Sequence, residues 1–286
     1  MQKNITYEMF LHAVNADETA AIRLSFPRGG ALVAGCGNIG AAVARRLGLA
    51  GVPLVVTYRT NVARATAVVD ELLRAGARAR AQALDLEDAA AIERTLGECA
   101  RQFGCLHSVI YCAGPAIPFL RVREMPPATL WRHLQADALG CFSLFHHAIP
   151  LLEAGGGGSL TACVTMANHR TLDTDGLSAI PKAAVESLVR QIASEEAANG
   201  IRANAVAIGW IGGFADSFAQ ARAYTAAMTG PEAAPTRALM ERLMACIRLG
   251  RPGRGEEAAN IVAFLASEQA SYVTGCVIPA DGGAIL

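Results

Sequence analysis

Gly35-Cys36-Gly37-Asn38-Ile39-Gly40 carries three glycines at a spacing that suits a phosphate. The first permits a tight turn, the second lets the backbone approach a pyrophosphate, and the third allows a helix to pack closely on the preceding strand. An apolar run at 31–34 precedes the motif and the helical stretch AAVARRLGLAG follows it. The N-terminus of that helix would turn unpaired N–H groups toward an anion. In this context Gly35, Gly37, Asn38, Ile39 and Gly40 form a candidate dinucleotide cradle, the alternative being a purely structural glycine turn. At the end of the next apolar run, 54–58, no acidic residue is present to bind a ribose 2′-hydroxyl, and Arg59 stands there instead. A guanidinium suits a 2′-phosphate, so NADPH is expected in preference to NADH. The alternative is a solvated arginine with no ligand.

A second chemical signal is an isolated ammonium. Among 25 lysines and arginines only Lys3 and Lys182 are lysines. The eight cysteines form no CxxC pair and sit mostly in apolar stretches, which reads as reduced, buried thiols and not as a metal site or disulfide frame.

Short β-rich runs at 31–34, 54–58, 80–84, 108–112, 160–165, 203–208 and 276–279 alternate with helical patterns at 41–49, 63–75, 89–103, 129–152, 183–198 and 256–267. The alternation predicts an α/β fold: a doubly wound, Rossmann-type parallel sheet of about seven strands with helices on both faces. Residues 29–286 then form one dinucleotide-binding and catalytic domain, preceded by an extension at 1–28. The segment 213–249 breaks the rhythm and holds Phe214, Phe218, Tyr224, Met228, Met240 and Met244 about Gly230-Pro231. It reads as an apolar substrate lid over the carboxyl ends of the strands, or as an ordinary pair of packing helices. Pro181 biases Ile180 away from helical geometry, which would start a helix near Ser178 with that serine as its N-cap.

From residue 31 to 283 the chain resembles the short-chain dehydrogenase/reductase family. The resemblance rests on the glycine motif, Asp85-Leu86, Tyr111-Cys112-Ala113-Gly114, GIRANAVAIGW at 200–210 and ASYVTGCVIPADGG at 270–283. It implies that Asp85 and Leu86 meet the adenine, that Ala113 and Gly114 line the cofactor site, and that Lys182 binds the nicotinamide ribose. The family's Tyr-x-x-x-Lys pair is here Ser178 and Lys182, its serine is Thr165, and its supporting asparagine is Asp137. A serine hydroxyl is far less acidic than a phenol, so the proton for a simple carbonyl reduction would need another source. The Ser-x-x-x-Lys segment is similar to that of the 2,4-dienoyl-CoA reductases, in which donors stabilise a developing enolate while carbon is protonated separately. His169 and Tyr224 are candidate proton donors, each also readable as a surface or lid residue, and Trp210 is a candidate substrate contact.

Three functions are therefore weighed: an NADPH-dependent reductase of an activated C=C bond, a carbonyl reductase with a substitute acid, and a nucleotide sensor or non-redox enzyme. A formal net charge of zero and 17% charged residues argue against a nucleic-acid partner. With no long apolar run and no basic-then-apolar leader, neither a membrane nor export is expected, and the location expected is cytoplasmic. The partner expected is a small molecule, with no metal. The family resemblance implies a homodimer or homotetramer.

Overall fold

Seven parallel strands of four to eight residues form, most of them rich in β-branched and aliphatic residues between glycine or polar stops. In the computed structural model, which describes residues 23–213, 215–230 and 233–286, they are β1 (Gly30–Ala34), β2 (Leu54–Tyr58), β3 (Ala79–Ala83), β4 (Leu106–Tyr111), β5 (Gly158–Thr165), β6 (Ile201–Ile208) and β7 (Val277–Ala280). Most of the expected N-terminal extension, with Phe214 and Pro231, lies outside the described residues. The sheet order is β3-β2-β1-β4-β5-β6-β7, every pairing parallel. Strand order reverses between β1 and β4, which opens a crevice at their carboxyl ends.

The helices are α1 (Asn38–Leu49), α2 (Val62–Arg74), α3 (Ala89–Phe103), α4 (Pro127–His133), α5 (Gly140–Ala154), α6 (Gly176–Glu195), α7 (Phe218–Ala226), α8 (Ala233–Cys246) and α9 (Gly255–Ala266). Their apolar stripes form two cores. Leu47, Val68, Leu72 and Val262 of α1, α2 and α9 cover one face, and Ile92, Leu96, Phe145, Val185 and Val189 of α3, α5 and α6 cover the other. Parallel strands covered on both sides bury nearly every residue: β1 and β2 are almost wholly apolar, and β4 is fully buried although it carries His107 and Ser108.

Two helix expectations change. The single helix expected over 129–152 is divided by a π-helical turn, Leu134–Leu139, between α4 and α5. The helix expected from residue 183 begins at Gly176, and Pro181 lies inside it. Burial of Leu177, Ser178, Pro181, Val185 and Val189 against β5 and β6 outweighs the hydrogen bond that proline cannot donate. Ser178 is accordingly not an N-cap. Its N–H bonds to Asp175 O at 3.1 Å, and Asp175 is the cap residue.

The expected lid is the antiparallel-like pair α7 and α8, tied by Arg222 to Glu241 at 2.8 Å. Met166, Leu239, Leu243, Ile247 and Ala284 form a small separate core beneath it, with Trp210 and Phe218 stacked 6.1 Å apart beside it. No helix among the described residues is long and apolar enough to cross a membrane.

Candidate active site

The glycine turn, Arg59, Asp85, Tyr111 and Thr165 arrive at the crevice at or just beyond the ends of strands. Gly35 leaves β1 with φ of +95°, and a Cβ there would lie 2.8 Å from Ala113 Cα. A Cβ at Gly40 would fall 1.9 Å from Gly35 O, so neither position tolerates a side chain without rearrangement. At Gly37, the N-cap of α1, nothing lies within 4 Å of that position, and no side chain caps the helix. The N-terminus of α1 thus begins beside open space at Gly37 and has no side-chain cap, so its first-turn N–H groups are left for a pyrophosphate to accept from. Ile39 packs into the core below α1, while Asn38 Oδ1 accepts a 2.7 Å bond from Arg64 Nη2.

Beside this turn is a cavity of about 250 Å³ whose lining includes Gly35, Gly37, Arg59, Arg64, Asp85 and Ala113. Leu86 and Gly114 also line it. Arg64 was not among the residues singled out from the sequence. Asn61 caps α2 through a bond from Arg64 N, 3.1 Å, and so places this second guanidinium on the first turn, beside the cavity that Arg59 also lines. The glycine cradle, the cation pair and the residues opposite fit a nicotinamide dinucleotide.

At the inner end of the crevice three distant segments meet. Lys182 Nζ on α6 donates to both oxygens of Asp137, at 2.8 and 2.7 Å. Tyr111, at the end of β4, donates its hydroxyl to Asp137 Oδ1 at 2.6 Å and to Asp137 O at 3.2 Å. The π-helical turn carries Asp137 to this meeting point, as such turns often do at functional sites. The Asp137 side chain is 2% exposed and that of Lys182 12%, so the pair is almost entirely withdrawn from solvent. A Cβ on Gly114 would sit 3.7 Å from Lys182 Nζ and 3.8 Å from Asp137 Oδ2, which puts the backbone of Gly114 directly over the pair. Burial, reinforced by the adjacent carboxylate, pushes the Tyr111 phenol well above its ordinary pKa. Tyr111 is thus a fixed donor to Asp137 and not an acid.

The remaining sequence candidates separate. Ser178 is buried one turn before Lys182 on α6. Thr165 ends β5, where its Oγ1 accepts from Ala167 N at 3.2 Å and caps the short turn that follows. His169 lies with its Nε2 3.3 Å from Glu186 Oε1, an oxygen that also accepts from Asn168 Nδ2 at 2.8 Å. This carboxylate stands two turns beyond Ser178 along α6 and occupies His169. Trp210 stacks on Phe218, and Tyr224 is on the exposed side of α7. Missed from the sequence was Asp175, buried at the start of α6 and lifted by that burial to a pKa of about 6. Among the described residues no group of three or more His, Cys, Asp or Glu is placed to hold a metal ion.

This geometry has close counterparts. The sequence profile of the family described as Enoyl-(Acyl carrier protein) reductase matches residues 33–284. Cis-4-hydroxycyclohexanecarboxylate dehydrogenase of Sinomonas cyclohexanicum is 32% identical over 255 residues, covering 88% of this chain and 95% of its own length. A hydroxynaphthalene reductase-like protein of Metarhizium brunneum is 31% identical over 256 residues, 89% of this chain and 94% of the relative. A short-chain type dehydrogenase/reductase from Mycobacterium ulcerans superposes with a TM-score of 0.78 at 28% identity, covering 92% of this chain and 91% of that one. With the seven-stranded parallel sheet, the glycine cradle and these matches across nearly its whole described length, the chain belongs to the short-chain dehydrogenase/reductase family and is an oxidoreductase of the type that uses a nicotinamide dinucleotide.

Proposed function

We propose that this oxidoreductase is an NADPH-dependent reductase of an activated, conjugated C=C bond in a partly apolar small molecule or thioester. The observation that carries this reading is at the start of α6. One turn before Lys182, where a carbonyl reductase of this family needs a phenol, the side chain is the Ser178 hydroxyl, and the Lys182 ammonium is held by both oxygens of Asp137. A serine hydroxyl donates a hydrogen bond to an oxyanion well but gives up its proton poorly. Conjugate reduction asks for the former, because the negative charge that develops on the carbonyl oxygen is that of an enolate. Ser178 and Thr165 are the hydroxyls at the ends of α6 and β5 that can stabilise it. Lys182, fixed by Asp137, orients the ribose. When bound, NADPH supplies the hydride.

Arg59 and Arg64 line the cavity at the end of β2, where the strand end carries no carboxylate, and together they suit a 2′-phosphate. The apolar cluster about Trp210, Phe218, Met240 and Met244 supports an apolar part to the substrate and a lid role for α7 and α8. The description of the matched profile as an enoyl reductase agrees with a C=C substrate. The relative named as a hydroxycyclohexanecarboxylate dehydrogenase favours a second reading, interconversion of an alcohol and a ketone with a substitute acid.

The test uses NADPH deuterated at its transferable position, with cyclohexenone and a crotonyl thioester set against cyclohexanone. Deuterium at the β-carbon of the product is expected. Deuterium on the carbonyl carbon would establish the second reading, and tight NADPH binding with no labelled product across the panel would favour the nucleotide sensor. Arg59→Ala and Arg64→Ala should each reduce the preference for NADPH over NADH in a fluorescence titration; an unchanged ratio in both would remove the cofactor assignment.

A further inference from the structure

The reading above leaves the proton that must reach carbon without a donor, since Tyr111 is sealed against Asp137 and His169 is engaged by Glu186. A third carboxylate in this region has no assigned partner. Asp175 is the N-cap of α6, and its main-chain oxygen accepts from Ser178 N at 3.1 Å, so Asp175, Ser178 and Lys182 follow one another at i, i+3 and i+7 from the start of the helix. Lys182 closes the inner end of that series beneath Gly114. The outer end is roofed by the loop that leaves β4, which runs on from Gly114 until Leu120 pairs with Asp175.

Asp175 is 9% exposed. Its carboxylate makes no hydrogen bond or ion pair with any described residue, and it does not perform the usual work of its position: the N–H groups of Ser178 and Ala179 bond to Asp175 O, and no side-chain cap bond is made. A carboxylate kept in a buried place without a structural bond costs stability, and such costs concentrate where chemistry needs them.

We propose that the Asp175 carboxyl is the proton donor of this site. The proposal rests on the conjugate-reduction reading. Once a hydride has added to the β-carbon, the electron pair of the C=C bond lies on the carbonyl oxygen as an enolate, held by Ser178. The enolate re-forms the C=O bond as its α-carbon takes the proton from the Asp175 O–H, which leaves a carboxylate to be reprotonated from solvent. Ser178 lies three positions beyond Asp175, about 4.5 Å of helical rise. That offset puts the two residues about one helical turn apart, a separation one substrate enolate can bridge.

Burial alone lifts the group from 3.8 to about 6, so about half of it is protonated at pH 6 and roughly a tenth at pH 7, far more than for an ordinary aspartate. Of the charged groups on the surrounding elements, Asp173 is held by Arg242 of α8 at 3.4 Å, Lys182 is closed by Asp137, and Arg121 follows Leu120 in the loop that reaches Asp175. None of them contributes to the shift.

The first measurement follows the carboxyl resonances of isotope-labelled aspartate in the whole protein by NMR across pH, with Asp175→Asn used for assignment. One resonance titrating near 6 and missing from the variant is expected; titration near the ordinary value of about 4 would overturn the proposal. The second measures turnover with whichever panel compound accepts hydride. Asp175→Asn should lower kcat by roughly 10²–10⁴-fold, the range for a lost general acid, with KM nearly unchanged. In deuterated water the wild type should label one face of the α-carbon and Asp175→Asn both faces, while Asp175→Glu retains a measurable share of the rate and its pH dependence. Unchanged rate, pH profile and stereochemistry in Asp175→Asn would refute the assignment. Hydride delivered to a carbonyl carbon would instead defeat the conjugate reading and leave the pH profiles to decide whether Asp175 is the acid. Should Asp175→Asn fold poorly, Asp175→Glu and the wild-type titration still decide.

Discussion

Removing Asp137 should cost this protein a large part of its stability, and the size of the loss follows from who is left behind. In the wild type the buried carboxylate receives two bonds from Lys182 and one from Tyr111, all between 2.6 and 2.8 Å. Asp137→Ala leaves an ammonium at 12% exposure without its counter-ion, while Tyr111 retains only the weaker 3.2 Å bond to the main-chain oxygen. Breaking a buried pair from one side typically costs about 3–5 kcal/mol, out of a total of about 5–15. For a chain of this size each kcal/mol moves the unfolding midpoint by about 2 °C, so a fall of roughly 6–10 °C is expected. Lys182→Met strands the carboxylate instead and should cost a similar amount. The double variant removes both charges, so its loss should fall short of the sum of the two by at least about 2 kcal/mol. Urea unfolding followed by circular dichroism at pH 7, with all four proteins under one buffer, reads the cycle directly. If both single variants stay within about 1 kcal/mol of wild type, or the double equals the sum, the three-residue network does not hold the site together and the argument fails.

Three further outcomes are expected. Because burial raises the Asp175 pKa from 3.8 to about 6, the native state binds more protons than the unfolded chain between those values, and its stability falls as pH rises through them. Asp175→Asn should therefore be more stable than wild type at pH 8, by up to about 3 kcal/mol, with the difference gone below pH 4; equal stability at both would contradict it. His107 behaves in the opposite sense: buried between strands, its pKa is lowered from 6.5 to about 4, so it withdraws stability as pH falls across that interval. Up to roughly 3 kcal/mol of the acid-side slope should vanish in His107→Leu, and an unchanged slope in urea titrations would count against the assignment. Trp131 of α4, Leu139 of the π-helical turn and Phe142 of α5 expose apolar surface, which supports self-association through this segment. Light scattering should show a dimer or tetramer at micromolar concentration and a smaller species for Phe142→Glu; a monomeric wild type would exclude it.

What could be read directly from the sequence is what local physics controls. The alternation of β-rich and helical runs, the glycine turn and the position of Arg59 depend on residues within a few places of each other, and the strands lie within about two residues of where their patterns place them. The start of α6 was misplaced for a related reason: Pro181 is a strong local signal, but burial of Leu177 and Val189 against strands far away in sequence outweighs one missing hydrogen bond. Asp137 and Lys182 were legible as candidates only one by one. Their closure with Tyr111 requires β4, a π-helical turn and α6 to converge, and no spacing along the chain encodes that contact. Arg64 joins Arg59 only because Asn61 starts α2 beside the end of β2. The character of Asp175 is likewise a tertiary property, since a carboxyl's acidity is set by how much water the fold leaves around it, and that depends on a loop arriving from β4 at Leu120.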